Sequence, residues 1–112
     1  MQYKEFLDQI DNKQEKLFAT SDAVWEDAET AFSETKSAHA LCDLLASEGF
    51  EVTCPAFGIP TAFTASFGSG SPVMGFLGEF DALANLSQKA GSLEKVPEAP
   101  GCNGHGCGHN LL

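Results

Sequence analysis

Apolar residues in the first 25 positions return at helical intervals. Phe6, Leu7, Ile10, Leu17, Phe18, Val24 and Trp25 recur on a 3.6-residue repeat with acidic and basic residues between them. The pattern predicts a long amphipathic helix over residues 3–25, broken near Ser21. A second helix follows. Thr35 suits its N-cap, Ala38, Leu41, Cys42, Leu44 and Leu45 share one face with His39 on or beside it, and Gly49 stands where a helix ends. Beyond Gly49 the period changes to that of strands: residues 50–54, 61–67 and 72–80 read as three of them, with Gly68-Ser69-Gly70-Ser71 turning between the last two. The third run, Val73-Met74-Gly75-Phe76-Leu77-Gly78, is apolar almost throughout, as befits a strand covered on both faces. The predicted fold class is α/β, two helices followed by a small sheet, with chemistry near the C-terminal end of the third strand.

Residues 81–108 lose this periodicity. Gly91, Pro97, Pro100, Gly101 and Gly104 mark a long connection with at most a short helical turn, and loops of that length in a small domain tend to carry function. Asn110 could cap a helix opening at Leu111. No internal repeat or low-complexity tract is present.

Composition narrows the functional classes. A chain of 112 residues fits one small domain. Its formal charge of −10, from sixteen acidic and six basic residues, repels nucleic acid and anionic membrane surfaces alike. No stretch approaches the roughly 20 apolar residues of a membrane span, and the opening MQYKEFLDQIDNKQEK lacks the apolar core of a secretory signal. A cytoplasmic protein with no nucleic-acid or membrane partner is expected. Cys42 lies in a helical pattern and Cys102 and Cys107 lie among His and Gly, so all four cysteines, Cys54 included, read as reduced thiols.

The last dozen residues hold the densest chemistry. Cys107 and His109 flank a single glycine, so a bent backbone can turn a thiolate and an imidazole toward one divalent ion, and Gly106 and Gly108 offer the positive φ such a bend can need. The competing reading is a glycine-rich loop that happens to contain Cys and His. A single ion held by Cys102, His105, Cys107 and His109 is a further possibility, but eight consecutive residues wrap an ion poorly and structural zinc sites draw on separated pairs. His105 is then a supporting or substrate-contacting group and Cys102 a bystander. Upstream, Glu79 and Asp81 fall on one side of the pleat at the end of the third strand. Paired carboxylates there can hold a ligand histidine or an ion; a solvated strand end is the equal alternative.

Taken together, NGHGCGHNLL at 103–112, GEFDAL at 78–83 and VWEDAETAFSET at 24–35 resemble the aminoacylase and carboxypeptidase-like metallopeptidase family. The likeness continues through GF-x-V-T at 49–53, IPTAF-x-ASFG at 59–68 and LSQKAG at 86–91. It implies a two-domain amidohydrolase: a catalytic α/β domain with two divalent metals, Zn or Mn, and an inserted domain for dimerisation. Residues 1–112 would be the opening part of the catalytic domain, the rest of it and the inserted domain being absent. The implied substrate is an N-acyl amino acid or dipeptide cut at its amide bond, and the implied assembly is a dimer or a hetero-oligomer with a related subunit. By motif position Cys107 and His109 match the first metal ligands, with His105, Asp81 and Asn110 as supporting or substrate-contacting residues. Asn110 stands where many relatives carry Asp, a substitution usual in one branch of the family. Glu79 departs from a metal-binding His found in more distant relatives. The paired glutamates and later histidines expected of the family are not among these residues, so no catalytic residue is assigned and the chain alone should be inactive. A small complete zinc-binding or metal-carrying module, or a non-catalytic truncated relic, are the alternative readings.

Overall fold

Two helices occupy the stretch read as one. The computed structural model describes residues 3–112, and in it α1 (Tyr3–Asp11) and α2 (Gln14–Asp27) are separate. The break falls at Asn12-Lys13 and not near Ser21, which lies inside α2. Asp11 and Asn12 are poor helix formers, and the Lys13 N–H turns to the Ile10 carbonyl at 2.9 Å, a three-residue closure that tightens the last turn. After α2, Ala28 takes a left-handed conformation and donates its N–H to the Val24 carbonyl.

The helix α3 (Thr35–Ser47) begins where the sequence places it, although Thr35 is its first residue and Glu34 the capping position. Neither side chain caps it. The Glu29 carboxylate does so from a distance, accepting the N–H groups of Lys36 at 3.1 Å and Ser37 at 2.9 Å. Burial alone would push this carboxyl up, but the donors from Ser37 and Lys36 outweigh it and hold Glu29 below the usual carboxylate range. At the other end Gly49, at φ +89°, gives its N–H to Ala46 while Phe50 reaches back to Leu45 at 3.1 Å, the paired bonds of a Schellman stop.

The two helices α2 and α3 lie antiparallel, tied at both ends. Lys36 meets Asp27 at 3.1 Å, and Lys13 and Lys16 both reach Glu48, whose carboxyl they hold down at about 2. Between them lies a small core: Val24, Ala38 and Cys42 are buried, with Ala56 and Ala82 beyond. His39 faces water.

All four cysteines are free thiols, and they differ in access. Cys42 is buried on α3, and that burial, followed by the hydrogen bond and charge of Cys54, pushes its thiol up to about 11. Iodoacetamide at pH 8 should therefore label Cys54, Cys102 and Cys107 while sparing Cys42 until the chain unfolds. Mass spectrometry showing Cys42 labelled as fast as Cys102 would contradict this.

The sheet has two strands, not three. β1 (Glu51–Thr53) pairs antiparallel with β2 (Thr64–Ser66), Val52 opposite Ala65. Residues 73–79 form no strand, and Val73, Phe76 and Leu77 are 89%, 92% and 96% exposed. An apolar sequence can provide a strand's faces but not its neighbours. Among the described residues no segment offers the 73–79 backbone a ladder to join. Phe6 and Ile10 of α1 are exposed as well. Exposed apolar residues in such number favour association. The chain should therefore sediment as oligomers at high concentration, and Phe76→Lys with Leu77→Lys should shift it toward monomer; a monodisperse wild-type monomer would show that the run needs no cover.

One seam sets up the site. Ala82 gives its N–H to the Glu29 carbonyl at 2.8 Å, and Leu83 exchanges two backbone hydrogen bonds with Gly104 at 2.9 and 3.0 Å. The chain after α2, the GEFDAL segment and the C-terminal glycine-rich segment are thereby laced side by side. Residues 81–108 hold no helical turn, yet they are pinned internally, by Ser87 to Cys102 at 3.1 Å and Lys89 to Val96 at 2.8 Å.

Candidate metal centre

The lacing of Leu83 to Gly104 brings the carboxylates of one segment onto the histidine of the other. His109 Nδ1 lies 2.7 Å from Asp81 Oδ1, and His109 Nε2 lies 3.2 Å from Glu79 Oε2. Glu79, Asp81 and His109 each present a ligand atom within 4.8 Å of the other two. Residues 79–81 form no strand, yet Glu79 and Asp81, two residues apart, both reach a single ring. His109 and Asp81 are half-buried, and Glu79 opens to solvent.

The two contacts on the ring are not equivalent. Asp81 is the shorter and more sheltered, and a carboxylate facing Nδ1 selects the tautomer that carries its proton there. With the proton on Nδ1, the lone pair on Nε2 is the one that faces Glu79. Ligands at about 2.0–2.2 Å from one tetrahedral ion stand roughly 3.3 Å apart. The 3.2 Å between His109 Nε2 and Glu79 Oε2 meets that requirement. The donor set, one imidazole nitrogen oriented by a carboxylate with a second carboxylate beside it, thus fits a divalent cation, with further ligands needed to complete its coordination.

Cys107 is exposed and lies outside this group. It sits on the turn that delivers His109, closed by the Gly108 N–H on the His105 carbonyl at 3.0 Å. Gly108 takes the positive φ, +76°, that the bend was expected to need, whereas Gly106 does not; a side chain there would meet Leu86 Cδ1 at 2.8 Å. Cys102 is exposed on the far side of the Leu83–Gly104 pairing in sequence.

His105 is 5% exposed and engaged elsewhere: its Nε2 lies 2.9 Å from the Val24 carbonyl of α2, and its ring stacks on Trp25 at 6.3 Å. Asn110 caps nothing. It lies within a 3₁₀ turn, His109–Leu111, that Gly108 caps, and its side-chain amide donates to Ser21 Oγ at 3.1 Å. The roles of Val24 and Ser21 have no signature in the sequence, since one acts through its backbone carbonyl and the other is an ordinary helix-surface hydroxyl.

No family profile matches the chain, and no solved structure matches it. Two curated proteins are similar to it. Over 110 residues, 98% of this chain, it is 48% identical to the B subunit of p-aminobenzoyl-glutamate hydrolase from Escherichia coli (strain K12). Over 115 aligned positions, covering 94% of this chain, it is 31% identical to Xaa-Arg dipeptidase of Mus musculus. Sequence similarity along nearly its whole length makes the chain a relative of these two hydrolases, and it spans 23% of the length of each.

Proposed function

We propose that residues 1–112 form part of the catalytic domain of a metal-dependent amidohydrolase acting on p-aminobenzoyl-glutamate or a related N-acyl amino acid or dipeptide. The observation that carries the reading is the convergence of Asp81 and Glu79 on the two nitrogens of His109. In it His109 and Cys107 hold a divalent ion, Zn or Mn, within a two-metal site. Asp81 holds the His109 proton at Nδ1 and presents Nε2. Cys107, exposed on a glycine-flanked turn, supplies a thiolate without displacing a packed side chain. Bound divalent ions supply polarisation of the scissile carbonyl and a water acidic enough to ionise near neutral pH. Glu79 keeps negative charge beside the ion.

The general base, the remaining ligands, the inserted dimerisation domain and a partner subunit fall outside these residues; the word subunit in the bacterial relative's name supports the last of these. Four free thiols suit the reducing cytoplasm. A self-contained four-ligand zinc module finds less support, because among the described residues His109 gathers with Glu79 and Asp81, while His105 is buried against Trp25 and Cys102 and Cys107 are exposed.

Two outcomes test the proposal. The isolated chain should show no turnover of p-aminobenzoyl-glutamate, since catalytic metal sites need at least three protein ligands and a base. Grafted in place of the matching segment of the bacterial relative, it should support hydrolysis that His109→Ala removes. A folded, active graft indifferent to His109→Ala would defeat the proposal.

A further inference from the structure

We propose that His105 is the positioning residue of the centre, anchoring the ligand turn to helix α2 so that His109 meets Asp81. The inference deepens the metal reading and rests on it for its functional meaning, but its geometry stands alone. Three links radiate from the segment that begins at Gly104, the first of them a pair of hydrogen bonds. Gly104 is fixed to Leu83, the neighbour of the Asp81-Ala82 step. The His105 ring reaches the opposite way, to the Val24 carbonyl on α2 at 2.9 Å. Its own carbonyl then accepts the Gly108 N–H at 3.0 Å and closes the turn that presents His109.

A carbonyl can only accept, so the contact fixes the His105 proton on Nε2. Nδ1 is left buried with no partner, an unfavourable arrangement that is tolerated in return for the anchor. Trp25 covers the ring, and one turn back along α2 Ser21 receives the Asn110 amide at 3.1 Å. Residues on both sides of His109 therefore grip the same helix, at Val24 and Ser21. A cation ligand gains most from a rotamer and backbone already held in place. Asp81 orients the His109 ring; His105 holds the main chain from which that ring extends.

The test compares His105→Gln, whose side-chain amide keeps a donor near the Nε2 position, with His105→Leu, which keeps bulk and removes it. The first readout needs no metal: long-range ¹H–¹⁵N spectra of the histidine rings in the 112-residue chain. Wild type and His105→Gln should show His109 protonated at Nδ1 with one ordered signal set, and His105→Leu should show tautomer averaging. The second is calorimetric titration with Zn²⁺ alone, where His105→Leu should weaken binding tenfold or more and His105→Gln should recover most of it. Should His105→Leu fail to fold, His105→Gln still decides. A folded His105→Gln with His109 disordered, or a folded His105→Leu with His109 unchanged, overturns the proposal. Absence of zinc binding by wild type with His109 ordered as described would instead sink the metal reading and leave the anchor standing.

Discussion

Gly104→Ala should cost roughly 3 kcal/mol or more, a large share of the stability available to a chain of this size. A Cβ at this position would overlap the Leu86 carbonyl oxygen and stand 2.6 Å from both the Leu86 carbonyl carbon and Ser87 Cα. Backbone atoms cannot swing aside as a side chain can. Relief requires the 83–87 segment to separate from Gly104, which breaks both hydrogen bonds between Leu83 and Gly104 and frees His109 from Asp81. Gly75 provides the control: nothing lies within 4 Å of its added Cβ and its φ is not positive, so Gly75→Ala should change stability by about 0.5 kcal/mol or less. Urea unfolding of the two variants beside wild type checks this, and equal midpoints for Gly104→Ala and Gly75→Ala would show that the close approach does not exist.

The glycines of the last segment were legible as a motif but not as individual demands. Sequence reading gave Gly106 and Gly108 one shared purpose, and the fold gives them two: positive φ at Gly108, room for Leu86 at Gly106. The requirement at Gly104 depends on a neighbour eighteen residues away along the chain and leaves no local trace. Helix α3 was readable because its apolar face lies within the helix and its stop, at Gly49, closely follows it. Its N-terminal cap was not, since Glu29 acts from outside it. Residues 73–79 show the limit most clearly. Their composition states that both faces belong under cover, and a strand forms only where another backbone lies alongside. Cys107 and His109 were conspicuous by type and spacing, whereas the contact of His109 with Glu79 and Asp81 required the seam through Ala82 and Leu83.

Asp81→Ala should lower divalent-cation affinity 10- to 100-fold, the usual consequence of removing the carboxylate that fixes a ligand histidine. Asp81 Oδ1 stands 2.7 Å from Nδ1, and no other carboxylate among the described residues shares that nitrogen. Without it the His109 proton is free to move to Nε2, where it blocks the lone pair. Asp81→Asn should fall between the two, because its amide oxygen can still accept from Nδ1–H but carries no charge. Competition against a chromogenic chelator gives the affinities. Equal binding by wild type and Asp81→Ala would remove the carboxylate from the site.

The central claim is that Cys107 and His109 hold a divalent cation within a site this chain only partly supplies, and calorimetric titration of the 112-residue chain with Zn²⁺ at two pH values tests it most directly. Two or three ligands leave an ion largely hydrated, and thiol and imidazole must shed protons to bind. Weak binding is therefore expected, weaker still at the lower pH, reduced further by Cys107→Ala and by His109→Ala and unaffected by Cys102→Ala. Tight one-to-one binding that Cys102→Ala abolishes as fully as Cys107→Ala would mean a closed structural zinc site, and would contradict the account.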